Sequence, residues 1–422
     1  DAIKDKGIDT QELVYGVAIA YGLTGDERLL SIAHAQGRTV LTGDAYRLAA
    51  AIDEGRAQPY PFRSMQLADG PDGSWGALGI LRSGSEPGHQ AVVFKATAQG
   101  MGHGHFDRLS WLFYDNGREI ISDYGAARFL NVESKYGGHY LPENRTWAKQ
   151  TVAHNTLVVD EASHFGGDWQ LGQENATVPL HFETGERADV VAAQIGSAYE
   201  GVEFSRALVM LKGAPFQLPL ILDVLRVESD RTQQYDLPLH FQGQVTDVSH
   251  ELEAYTDSLV PLGADNGYQH LWKRASARAA PGELFQLTFL NGNRFYTHSA
   301  LVTAPMDFLF AETGANDPNF NLRPEQALVQ RVRDAGSQVF ISVLEPHGEY
   351  NGSREYTTES ASAVASIERA SDGGLEAIRI TTRGGSVVTV ALAFDPDPDA
   401  RQRIELGGEI LEWNGFFHRF DN

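Results

Sequence analysis

From about Trp75 to Phe394 the sequence is a succession of short β-rich runs, including Ala91–Ala96, Leu109–Tyr114, Thr156–Asp160, Ala207–Leu211 and Pro219–Val227. Further runs follow at Leu284–Leu290, Val339–Val343, Ala377–Thr382 and Val387–Phe394, bounded by Gly, Asp and Asn. β-branched and aromatic residues favour the pleated surface, and the bounding residues favour turns. No segment alternates such runs with helices in the βαβ manner. The fold class this predicts is mainly β, a large antiparallel sandwich with long insertions. Asp115-Asn-Gly117 predicts a hairpin, because Asn-Gly readily supplies the positive φ angles of a type I′ turn.

A chain of 422 residues exceeds what one hydrophobic core supports, so two or three units are expected. The first sixty or so residues carry helical spacing instead. Leu13, Val14, Val17, Ala18 and Tyr21 fall on one face, Leu29, Leu30, Ile32 and Ala33 on the next, with Gly22–Asp26 between them. Pro59 and Pro61 end the pattern. The units expected are a short helical piece over residues 1–65, a sandwich over 66–330, and a β region over 331–422 that completes or extends it. Asp1-Ala-Ile-Lys reads as the middle of a longer chain.

A net charge of -22 argues against nucleic acid and against anionic membrane surfaces, both of which need excess Lys and Arg. No run is apolar for long enough to span a bilayer. The absence of cysteine excludes disulfides and thiolate metal sites. Any metal must then be held by nitrogen and oxygen.

Candidates for such ligands occur at Gly100-Met-Gly-His103-Gly-His105-Phe-Asp107, at Ile121-Ser-Asp123-Tyr and at Thr151-Val-Ala-His154-Asn155. On an extended segment His103 and His105 point to one face. Imidazole with carboxylate suits zinc. By residue type alone, the same side chains serve equally as hydrogen-bonded strand histidines. Gly100-x-Gly102-x-Gly104 is a weak phosphate signal, since no helix follows it.

Between two expected strands lies a basic, aromatic stretch that holds Arg128, Lys135, Tyr136, His139, Tyr140, Arg145, Trp147 and Lys149. Long loops on rigid sheets commonly carry function. Gly137-Gly138 gives the backbone freedom to place His139 and Tyr140 in a cleft, and Trp147 is suited to stack on a sugar ring. The other reading is a flap whose aromatic residues cover the sandwich and whose cations are solvated.

The run from Gly100 to Asn155, with GMGHGHFD, ISDYGAARFLNVESKYGGHYLPENRTWAKQ and TVAHNTLVV, resembles the oligoalginate lyases of polysaccharide lyase family 17, within the heparinase II/III-like group. The resemblance implies an (α/α) toroid followed by an antiparallel sheet domain, with the site in the cleft between them. It implies exolytic β-elimination of alginate oligosaccharides, releasing an unsaturated monouronate, in a periplasmic setting. By matching motifs it places structural zinc on His105, Asp123 and His154, a substrate-facing imidazole at His103 and the catalytic tyrosine at Tyr140. Arg128, Lys135, Tyr136, His139, Arg145 and Trp147 are then substrate-binding candidates. Residues 1–65 correspond only to the last toroid helices. The family's Asn-His pair and second Tyr must come from a missing N-terminal segment or a second chain, and a homodimer is a further possible partner.

Elimination across C4 and C5 of a uronate removes a weakly acidic proton beside a carboxylate, a step eased by neutralising that carboxylate. Tyrosine, with a reference pKa of about 10, needs nearby positive charge to act as the base. Two alternatives stand beside this reading: a glycosaminoglycan lyase of the heparinase kind, and a non-catalytic carbohydrate-binding β fragment.

Overall fold

The computed structural model describes residues 8–84, 89–99, 103–127, 141–394 and 401–421. Of the candidates above, Arg128, Lys135, Tyr136, His139 and Tyr140 lie outside the described residues.

Three helices open the chain, Gln11–Thr24, Leu29–Gln36 and Gly43–Asp53. The first two stop at glycines, Gly25 and Gly37, at φ 66° and 64°. A left-handed C-terminal residue is cheapest without a Cβ. The third starts at Thr42, whose hydroxyl accepts from the Ala45 N–H at 3.2 Å. Ala18, Tyr21, Leu30, Ala33, Leu48 and Ala51 form a small core of their own. Leu13, expected on the buried face of the first helix, is 50% exposed, and Leu23, Leu41 and Tyr46 also stand outside that core. Among the described residues no helix is long and apolar enough to cross a membrane.

The β region is built from antiparallel pairs. An 11-stranded sheet begins with Met65–Ala68, Gly76–Arg82, Ala91–Thr97, Ser110–Asp115 and Arg118–Ile121, then continues through Gln233–Phe241 and Gln326–Ala335. An 8-stranded sheet packs on it, with Val202–Leu211, Leu220–Ser229 and Gln338–His347 near its middle. The predicted hairpin is present, with Asn116 and Gly117 at φ 50° and 72°.

The 8-stranded sheet is covered on both faces, which explains its nearly unbroken apolar runs. Along Val202–Leu211, Leu208 and Met210 enter the core shared with the 11-stranded sheet, whereas Ala207, Val209 and Leu211 enter a second core. That second core is closed by Ile378, Ile380, Val390 and Leu392 of a C-terminal four-stranded sheet. Alternate side chains of a strand face opposite ways, so a strand between two layers must be apolar throughout. The arrangement is three β layers, with the middle sheet shared. A boundary at residue 330 would cut the strand Gln326–Ala335 and separate Gln338–His347 from the sheet it centres. The third layer begins instead with the strand Val364–Asp372.

Candidate functional site

The site lies at the ends of two central strands of the 11-stranded sheet, Ser110–Asp115 and Arg118–Ile121, where three segments distant in sequence meet. The first enters Ser110–Asp115 by an irregular path through His105, Asp107 and Leu109. Gly104 is required there, because a Cβ on it would sit 1.5 Å from the Gln99 carbonyl oxygen. Leu109 takes a left-handed backbone, φ 59°, to turn into the strand. Asp107 is buried and held by Lys95, whose Nζ donates to its two carboxylate oxygens at 2.7 and 2.6 Å.

The second segment carries Asp123 past the end of Arg118–Ile121. Its Oδ1 accepts from the Gly125 N–H at 2.7 Å, the local turn that short acidic side chains favour. The third carries His154 out of a 3-10 turn, Thr151–Ala153, with its ring fully buried.

Asn155 joins these segments. Its Nδ2 donates to the carbonyls of Trp111 and Ser122, both at 2.9 Å, and its Oδ1 accepts from the His240 N–H at 2.6 Å. The Asn155 carbonyl in turn accepts from Arg206 Nη1, which also donates to the Leu109 carbonyl at 2.8 Å. Arg206 is itself buried and paired with Asp223, Nη2 to Oδ2 at 2.5 Å and Nε to Oδ1 at 2.8 Å. Asn155, Arg206 and Asp223 are each satisfied in this network, which fixes one geometry, because any other leaves these buried groups unpaired.

The result is a convergent set. His105, Asp123 and His154 each offer a ligand atom, and these atoms lie within 4.8 Å of one another. Asp123 Oδ2 is 2.9 Å from His154 Nδ1, and the His105 and His154 ring centres are 5.1 Å apart. Burial, and secondarily His154, lowers the His105 pKa to about 4, so its ring is neutral near pH 7 and offers a lone pair. Burial opposes the charge on Asp123, but the charge and hydrogen bond of His154 outweigh it and hold the carboxyl well below the usual range. For His154 burial likewise works against protonation, and Asp123 reverses the balance upward. Two imidazoles and a carboxylate are a zinc-type donor set. Zinc bonds of about 2.0–2.1 Å put tetrahedral ligands roughly 3.4 Å apart, within reach of small side-chain rotations here.

His103 does not belong to this set. Residues 104–109 form no strand, so the period-two argument that aimed His103 and His105 at one face does not apply, and His103 is exposed. Trp147 is a second correction. It lies in a five-residue helical turn, Asn144–Ala148, with its ring fully buried, in edge contact with Tyr124 at 5.4 Å and His240 at 6.0 Å. It supports the site from beneath and has no face open to a sugar. Arg145, from the same turn, is exposed.

Beside the ligand set opens a largely apolar cavity of about 290 Å³, lined by Gln99, Phe106, Arg145, Lys149 and Trp169 among others. The Phe106 N–H donates to the Lys149 carbonyl at 3.0 Å, tying the His105 segment to the turn that carries Arg145. Burial lowers the Lys149 pKa. Trp169 begins the short helix Trp169–Glu174, capped by Asp168, and is 55% exposed. Residue-type reasoning overlooked it. The signal was present, an aromatic residue at a polar helix start just after Gly166-Gly167 and the N-cap Asp168.

A family model described as heparinase II/III-like, C-terminal, matches residues 65–372, and one described as exo-oligoalginate lyase-like, C-terminal domain, matches 383–420. The chain is 48% identical over 419 residues to the exo-oligoalginate lyase of Saccharophagus degradans, covering 99% of this chain and 57% of that protein. It is also 48% identical to an alginate lyase of Stenotrophomonas maltophilia, covering 100% of this chain and 56% of that one. The chain thus spans little more than half the length of these curated relatives. Among solved structures, heparan sulfate lyase of Pedobacter heparinus matches with a TM-score of 0.57 at 16% identity, covering 90% of this chain and 48% of the other. At that identity the likeness speaks for the fold, the layered β architecture described above. With well over half of its length matched by the first model, the chain belongs to the heparinase II/III-like family, and its C-terminal strands follow the exo-oligoalginate lyase-like pattern.

Proposed function

We propose that this chain is the sheet-bearing part of a lyase that cleaves alginate oligosaccharides from the chain end by β-elimination. The observation that carries the reading is 48% identity, over 99% of this chain, to a protein named exo-oligoalginate lyase. The site supports it chemically: in a chain of net charge -22, Arg145 and Lys149 stand together on one cavity beside His105. Local cations are what an acidic sugar needs.

In this reading His105, Asp123 and His154 hold a structural zinc ion. Bound there, the ion ties together the three segments that carry its ligands. His103 faces the substrate and helps to neutralise the uronate carboxylate, which acidifies the C5 proton. The phenolate of Tyr140 takes that proton, the C4–O4 bond breaks, a double bond forms between C4 and C5, and the departing O4 receives a proton. The acid for the last step is a tyrosine of the preceding helical toroid, outside this chain or on a second one.

The test is the ultraviolet absorbance of the new C4–C5 double bond when the full-length protein meets mannuronate oligomers. Wild type gains absorbance and Tyr140→Phe loses the signal. Full activity in Tyr140→Phe removes that residue from the mechanism, and turnover of heparan sulfate in place of alginate overturns the substrate.

A further inference from the structure

The cavity beside the ligand set carries three features that its structural surroundings do not account for. Gln99 is 2% exposed, and its Nε2 has no hydrogen-bond partner among the described residues. Its Oε1 meets Arg108 Nη1 at 3.4 Å, and a Cβ on Gly172 would come within 2.8 Å of that oxygen, so the amide is hemmed in. A buried donor left unpaired costs about 1–3 kcal/mol, which folding alone gives no reason to accept. Arg145 forms no ion pair or side-chain hydrogen bond among the described residues. Trp169 presents an indole that is more than half exposed on the rim.

We propose that this cavity is a binding subsite for a single uronate ring. The Trp169 face carries the ring, Gln99 Nε2 donates to a ring oxygen or hydroxyl, and Arg145 with Lys149 receives the carboxylate. An apolar floor with a few placed polar groups is the usual make-up of a small-ligand site, and about 290 Å³ falls just under the roughly 300–1,000 Å³ range of sites for larger ligands. That volume suits one ring and excludes a folded-in oligomer. Trp169 thereby takes the stacking part that Trp147, sealed in the core, cannot play. The inference rests on the lyase reading for its choice of an acidic sugar, and adds the residues that seat it.

Calorimetric titration of the full-length protein with trimannuronate, and with neutral mannotriose as control, tests this independently of turnover. Wild type binds the acidic trimer and not the neutral one. Trp169→Ala, a change at an exposed position, weakens binding by at least about tenfold, and Trp169→Phe recovers most of it. Gln99→Glu, equal in shape but lacking the donor, and Arg145→Gln weaken it similarly, and in steady-state assays KM rises while kcat stays within about twofold. If Trp169→Ala, Gln99→Glu and Arg145→Gln bind and turn over as wild type does, the subsite is overturned while the lyase reading survives. If wild type binds the trimer through these residues without cleaving it, the subsite stands and the lyase reading falls. Equal affinity for mannotriose overturns the assignment of an acidic ligand.

Discussion

Replacing Asn155 by leucine tests the claim that this one amide holds the site together. The side chains are similar in volume, so no large cavity forms, and the loss falls on hydrogen bonding. Two carbonyls, of Trp111 and Ser122, and the N–H of His240 lose their side-chain partner where Asn155 is 0% exposed. At about 1–3 kcal/mol for each buried group stranded, the floor is about 3 kcal/mol, a large share of the roughly 5–15 kcal/mol that stabilises a typical domain. Urea unfolding followed by tryptophan fluorescence reports on this region directly, because Trp111 and Trp147 are 1% and 0% exposed beside it. The expected result is a midpoint lowered by the equivalent of about 3 kcal/mol or more at unchanged slope. Asn155→Asp sharpens the test. Its carboxylate still accepts from His240 but turns an oxygen toward two carbonyls, so its deficit relative to wild type at the same pH is larger at pH 8 than at pH 5, where protonation restores a donor. Since Asn155 adjoins His154, and the Ser122 it holds adjoins Asp123, the proposed zinc site predicts that both variants bind the ion more weakly than wild type does. A leucine variant within about 1 kcal/mol of wild type, or an aspartate variant whose deficit relative to wild type is the same at both pH values, refutes the reasoning.

Three further outcomes follow from the same geometry. Asp223→Ala strands the buried Arg206 and costs about 3–5 kcal/mol in the same urea assay, whereas the double change Arg206→Met with Asp223→Leu recovers part of the loss; a double variant no better than the single one contradicts the account. Burial lowers His164 to about 3 and His298 to about 4, below the value near 6.5 of the unfolded chain. The unfolded state therefore binds more protons, and the stability present above pH 6.5 is lost as pH falls toward 4, by about 1.4 kcal/mol per pH unit for each histidine. His164 has reason to stay neutral, since its Nδ1 accepts from the Arg108 N–H at 3.3 Å while Nε2 faces the Leu157 carbonyl at 3.0 Å. A pH-independent urea midpoint between 6.5 and 4.5 argues against this. If His105, Asp123 and His154 hold the proposed ion, chelator lowers the melting temperature of wild type, and His105→Ala melts at the chelated value without responding to chelator. An equal chelator shift in that variant places the metal elsewhere.

The layered β architecture was legible because its signals are local. Turn residues at Asn116-Gly117 and alternating or continuous apolar runs reflect backbone sterics and burial within a few residues. The apolar runs left open whether they lay in one sandwich or in a sheet covered on both faces, because continuous burial reads the same whichever layer supplies the cover. The region after residue 330 was read as completing or extending the sandwich, and its strand Gln338–His347 lies near the middle of the 8-stranded sheet, whereas the strands from Val364–Asp372 onward form the third layer. His105, Asp123 and His154 were named from motif resemblance, and the structure brings their ligand atoms within 4.8 Å. Trp147 was read as a sugar-stacking candidate and is buried, and Trp169 was overlooked and is exposed, since an indole in a loop-like stretch has the same appearance in either place.

Residue order alone determined the mainly β, antiparallel class, the absence of thiolate chemistry and the net negative charge, all properties of composition and short-range pattern. Tertiary structure alone decided which side chains share a space. Asn155 became a hub, and Gln99, Arg145 and Trp169 became one cavity wall, because strands and turns up to about a hundred residues apart are clamped by buried pairs such as Arg206 with Asp223. Such convergence depends on closing long loops at once, a cooperative property that no local window of sequence contains.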